Sequence, residues 1–243
     1  MNKWMCVAIL ACLAAGCSNY EPVPQAADPD AVEPGTMRTD PTDDAFYEAL
    51  QLMKPGEDGE VARKDYREAV RLLQIALVQK RHPEPAIRRE LGMAYFGMGM
   101  YSDAIDELRL ALLESPNDAE AQLHLGLAYM EEGDFASAVT ALRKATRLDE
   151  GMDKAWYNLG VAQLELGNLQ KAQDNAKRAI EIDDDRRLYL GLLALTYEKQ
   201  ERIAEAIDTW KRVLRLREVR NDRQIVARVR DEIDRLQNKA DGE

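Results

Sequence analysis

Three stretches decide the fold: LGMAYFGMGMYSDAIDEL at 91–108, LGLAYMEEGDFASAVTAL at 125–142 and LGVAQLELGNLQKAQDNA at 159–176. Laid over one another they repeat at an interval of 34 residues. Leu91, Leu125, Leu159 and Leu193 share one position, and Gly92, Gly126, Gly160 and Ala194 share the next. The same interval relates Ala104, Ala138, Ala172 and Ala206, and then Ala111, Ala145, Ala179 and Val213. A period of this length marks stacked supersecondary units, each too small to bury its own apolar face.

These stretches resemble the tetratricopeptide (TPR) repeat, a pair of antiparallel helices A and B. The resemblance implies an all-α, right-handed solenoid of helix pairs. In that family, Gly or Ala at the eighth position of helix A and Ala at the twentieth position lie where two helices cross closely, and a larger side chain there would force them apart. Gly99, Gly133 and Gly167 punctuate the turn to helix B. Complete repeats are expected at 85–118, 119–152, 153–186 and 187–220. Residues 43–84 read as an irregular first repeat, in which Tyr66, Ala69, Leu73 and Ala76 match helix B and the link PGEDGE is longer than usual. Residues 221–243 are expected to form a capping helix and tail, with Ile225, Val229, Ile233 and Leu236 as its apolar stripe.

Ahead of the repeats, residues 1–16 carry Lys3 as their only charge and an apolar run from Trp4 to Ala15. This is a signal-peptide pattern, too short for a spanning helix. It ends in LAAGC, where Ala14, Ala15 and Gly16 before Cys17 resemble the lipobox of bacterial lipoproteins. That family usually has Leu where Ala14 stands. The resemblance implies a diacylglycerol thioether and an N-acyl chain on Cys17 and removal of residues 1–16, with no other cofactor. Ser18 after the cysteine implies sorting to the outer membrane of a Gram-negative cell, with the protein facing the periplasm. Cys6, Cys12 and Cys17 are the only cysteines, so the mature chain would have no disulfide partner. Residues 18–42 hold five of the nine prolines and read as a disordered tether, about 25–30 Å long as a coil.

Composition bounds the function. A net charge of −11 disfavours nucleic acid and anionic lipid surfaces as direct partners. Only two histidines are present, His82 and His124, with no partner set at metal-ligand spacing and no phosphate-cradling or nucleophile motif. Neither catalysis, nor a metal, nor a small-molecule substrate is expected. His82 reads as a loop residue and His124 as a helix A surface residue. Residues Lys211 to Arg235 hold nine basic and five acidic residues, a local excess that reads as a solvated face of two terminal helices, the alternative being a docking surface for lipid headgroups or cell wall.

In the TPR family, the fifth, ninth and twelfth positions of helix A face the concave, peptide-binding surface. Here they are Arg89, Met93 and Phe96, then Leu123, Leu127 and Met130, then Tyr157, Val161 and Leu164. This apolar series differs from the Lys/Asn pattern that clamps a peptide carboxylate, and an apolar surface of this kind needs a partner to cover it. A lipid anchor, a tether and a TPR solenoid in this order resemble the type IV pilus secretin pilotin family. That resemblance implies an outer-membrane lipoprotein that binds the secretin subunit and promotes its assembly. The alternative is a lipoprotein adaptor for cell-wall hydrolases or outer-membrane assembly factors.

Overall fold

The structure, a computed structural model, describes residues 44–54, 63–79 and 84–242. The signal peptide, Cys17, the proline-rich segment, the PGEDGE link and His82 lie outside the described residues. Twelve helices and no strand occur among those described. They are α1 (Ala45–Leu52), α2 (Arg63–Gln79), α3 (Glu84–Gly97), α4 (Tyr101–Glu114), α5 (Ala119–Glu131) and α6 (Phe135–Leu148). They continue as α7 (Asp153–Glu165), α8 (Leu169–Ile182), α9 (Arg187–Lys199), α10 (Ile203–Val213), α11 (Arg217–Arg220) and α12 (Arg223–Asp241).

Consecutive helices pack on one another along the chain, which is the pattern of a solenoid. The small residues set how closely. A Cβ placed on Gly92 would stand 2.6 Å from Leu108 Cγ and 3.2 Å from the Ala104 carbonyl oxygen, and one on Gly126 would stand 2.5 Å from Leu142 Cγ. Leu108 and Leu142 are fully buried and have nowhere to retreat. At Gly160 the obstacle is Leu192 Cδ2 at 2.8 Å, which belongs to the next pair. The same glycine position therefore serves packing within a repeat in two cases and packing between repeats in the third.

Among the described residues, the four A-to-B turns from α3 onward close in the same way. The amide of Asp134 donates to the Tyr129 carbonyl at 2.9 Å, and Met100, Asn168 and Arg202 repeat that bond with Tyr95, Gln163 and Tyr197. This six-to-one bond requires a left-handed residue just before the donor. Gly99, Gly133 and Gly167 meet the requirement at φ of 77°, 79° and 76°. In the fourth turn Glu201 takes the same role at φ 62°, where its Cβ crowds the backbone. Glu201→Gly is therefore expected to raise stability by about 0.5–1 kcal/mol, since the relief of strain exceeds glycine's added unfolded-state entropy. Urea denaturation of the two proteins measures it. An unchanged or lower midpoint would show that this turn carries no strain.

Asp118, Asp134 and Asp222 cap α5, α6 and α12 by accepting amide hydrogen bonds from Ala121, Ser137 and Ile225 at 2.9–3.0 Å. At the other end, α12 buries Ile225, Val229, Ile233 and Leu236 against α10 and α11, and its Arg235 reaches Glu198 of α9 at 2.8 Å. The last pair, α12 and parts of α7 and α8 share the largest core, centred on Trp210. Gly97 has a role that the repeat pattern does not announce. A Cβ there would stand 2.3 Å from the Tyr66 ring, so the first pair docks on α3 through this glycine.

The A helices α3, α5, α7 and α9 also pack on one another in succession, whereas no two B helices pack to the same degree. The inner row is thus tight and the outer row splayed. This asymmetry governs which side chains meet water.

Candidate functional site

The inner row divides in two. Met93, Phe96, Leu127 and Met130 are half-buried and keep part of their surface in water. Leu123, Val161 and Leu164 are each only 7% exposed and lie in the packed clusters between repeats. The expected apolar surface across three repeats is therefore corrected at these three residues. Neighbouring A helices approach closely enough to seal them, and Leu195, at the ninth position of the fourth repeat, is sealed too. Tyr157 packs on Tyr189 with ring centroids 5.2 Å apart and planes tilted by 37°, and burial pushes its phenol up to about 12. The Tyr189 hydroxyl donates to Asp153 at 2.6 Å.

Arg89 is committed within the fold. Its guanidinium donates to Glu90 at 2.8 Å and to Asp118 at 2.9 Å, which ties α3 to the N-terminus of α5. Glu90 is itself buried, so this pair removes a charge that would otherwise be unpaired. The site that remains open is a short apolar strip on α3 and α5, floored by Phe96, which packs on Tyr101 and His124.

His124 is more deeply set than a surface position implies. Its Nδ1 is buried and has no hydrogen-bond partner. Burial, followed by the nearby Arg89 and Lys154 cations, lowers it to about 4 against an ordinary value of 6.5, with Asp118 opposing. Between these values the unfolded chain binds a proton that the folded one refuses, so stability falls as pH drops below 6.5 and stops falling below 4. Wild type is expected to lose about 2–3 kcal/mol more than His124→Leu between pH 7.5 and 4.5, measured by urea denaturation. Equal losses would show that His124 is protonated in the fold.

A second apolar feature lies on the outer face, where α4 and α6 splay. A cleft of about 1120 Å³ is walled by Leu110 and Leu113 of α4 and Leu148 of α6, with Leu125 and Tyr129 among its lining. Leu113 is 78% exposed. This cleft is absent from the sequence reading, although a signal was there. The 34-residue counterparts of Leu113 are Arg147 and Glu181, and those of Leu110 are Lys144 and Arg178, so two leucines stand where later repeats place charge.

Among the described residues no group of three or more His, Cys, Asp or Glu side chains could hold a metal, and no helix is long and apolar enough to cross a membrane. In the basic C-terminal stretch, Arg235 is held by Glu198 and Glu232, so part of that charge is spent inside the fold.

The geometry agrees with known proteins. The chain is similar to a crystal structure of MamA at 26% identity and TM-score 0.60, covering 64% of this chain and 91% of that one. It is also similar to MamA from Desulfovibrio magneticus RS-1 (18% identity, TM-score 0.64, 73% and 96% covered) and to a thermophilic TPR protein of Thermus thermophilus (19%, 0.57, 77% and 96%). The last two likenesses speak to fold alone. No curated protein matches the chain. The tetratricopeptide repeat family matches residues 58–119, 89–153 and 123–187, more than half of the chain. With its 34-residue period, its shared turn and its helix pairs, the chain belongs to the tetratricopeptide repeat family, whose solenoids are scaffolds for protein–protein interaction.

Proposed function

We propose that this protein is an outer-membrane lipoprotein, anchored in the periplasmic leaflet through Cys17, that acts as a pilotin for the secretin of a type IV pilus machine. The observation that carries the reading is the pairing of LAAGC at the head of the chain with a solenoid that leaves Met93, Phe96, Leu127 and Met130 partly open to water. A secretin subunit must bring a membrane-facing apolar segment across an aqueous compartment. An apolar strip can cover that segment until the ring inserts, and each anchor side chain buried there contributes roughly 1.5–3 kcal/mol before association costs are subtracted. Two methionines in the strip suit a ligand of irregular shape. Two or three acyl chains on Cys17 exceed what stable membrane attachment needs.

Cys17→Ala is expected to abolish palmitate labelling, move the protein to the soluble fraction and reduce heat-resistant secretin multimers on gels in favour of monomers. Labelling of the variant, or of neither protein, would remove the anchor. Normal multimers in a strain lacking the protein would remove the pilotin role, and co-purification with cell-wall hydrolases or outer-membrane assembly factors would then favour the adaptor.

A further inference from the structure

The outer cleft between α4 and α6 differs from the inner strip in charge. Its lining includes Arg109, Lys144 and Arg147 against Asp106 alone. None of the three cations forms an ion pair among the described residues. Between them stand Leu110 at 41%, Leu113 at 78% and Leu148 at 40% exposure. In a chain of net charge −11, an apolar cleft with a cationic rim is an exception, and its complement is an acidic segment with interspersed apolar residues.

We infer that this cleft is the docking site of the chain's own residues 18–43. That segment holds Glu21, Asp28, Asp30, Glu33, Asp40 and Asp43 against a single Arg38, and it carries Tyr20, Val23, Val32 and Met37 among the acids. Its five prolines fix φ and reduce the entropy lost when the segment is laid on a surface. The reach is sufficient. The segment ends one residue before Asp44, which caps α1 by accepting from the Phe46 amide. The cleft lies between the second and third helix pairs, roughly two to three helix diameters from α1, or about 20–30 Å. About nine residues cover that distance at about 3.3 Å each, which leaves residues 18–34 free to enter the cleft.

Attachment to the same chain also lowers the affinity that is needed. An intramolecular segment of this length acts at an effective concentration on the order of millimolar, so three cations and three leucines are enough without a deep pocket. Docking would cover the exposed leucines and draw residue 17 toward the fold.

The test places p-benzoylphenylalanine at position 113 of the full-length protein, which is irradiated in detergent and mapped by proteolysis and mass spectrometry. Most adducts are expected to join position 113 to peptides within 18–43 of the same chain, with a yield independent of protein concentration. The yield should fall about fivefold or more in high salt and in a Lys144→Glu, Arg147→Glu double variant, because the attraction is screened or reversed. Both changed residues are exposed, so the variant should keep the wild-type melting temperature. Crosslinked dimers would assign the cleft to a second copy and overturn the proposal, as would adducts to other peptides, no intrachain adduct, or a yield unaffected by charge reversal. Secretin takes no part in this experiment, so its outcome is separate from that of the pilotin reading.

Discussion

Replacing Leu164 by glutamate is expected to unfold the C-terminal half of the solenoid. Leu164 is 7% exposed and belongs to the cluster that holds Val161, Leu195 and Trp210. The substitution removes the packing of a buried leucine, about 2–5 kcal/mol, and sets a carboxylate in an apolar cluster, which costs several kcal/mol more or forces protonation. Together these approach the whole stability of a domain, about 5–15 kcal/mol. In a solenoid each pair leans on its neighbours, so the loss spreads from α7 to α8, α9 and α10. Circular dichroism should show a large drop in helicity, and limited proteolysis should cut within residues 153–220. Leu164→Met keeps volume and polarity and should cost less than about 1.5 kcal/mol. A Glu variant with native helicity would show that this position faces water after all.

The contrast between Leu164 and Leu127 shows where sequence reading stops. The repeat register located Gly92, Gly126, Gly160 and the turn glycines correctly, because a close crossing and a left-handed turn are local demands that small residues and glycine satisfy at least cost, Glu201 being the exception. It also anticipated the apolar stripe of α12. The register could not say which ninth and twelfth positions stay wet. That depends on how tightly successive A helices close, a property of several repeats at once rather than of any one. Arg89 escaped for a related reason, since Asp118, its partner from the next pair, lies 29 residues away. Gly97 was hidden because its neighbour Tyr66 comes from the irregular first pair, which breaks the 34-residue interval. The outer cleft was legible in principle. Leu110 and Leu113 occupy positions that are charged in later repeats, but within the apolar run LRLALL they look like one more buried helix face until the B helices are seen to splay.

Leu127→Glu should leave the fold in place and remove the activity proposed for the inner strip. The side chain is half-buried on α5 and packs against, rather than within, the cluster of Leu123, Leu142 and Leu159. A glutamate there can turn its carboxylate into the water that leucine already partly meets, so the expected destabilisation is about 1–2 kcal/mol, inside the ordinary range for single substitutions. Binding is another matter. An apolar ligand that covers Met93, Phe96, Leu127 and Met130 would strip water from the carboxylate, and an unpaired charge in a dry contact costs several kcal/mol, equivalent to a hundredfold or more in affinity. Arg89 cannot rescue it, because its guanidinium is already held by Glu90 and Asp118. The variant should therefore keep wild-type helicity, label with palmitate as wild type does, and yield few heat-resistant secretin multimers. Collapse of helicity would place Leu127 with Leu164 in the core. Normal multimers from a folded, lipidated variant would move the binding surface away from the inner strip, and the outer cleft, tested by Leu113→Glu in the same assay, is where it would then be sought.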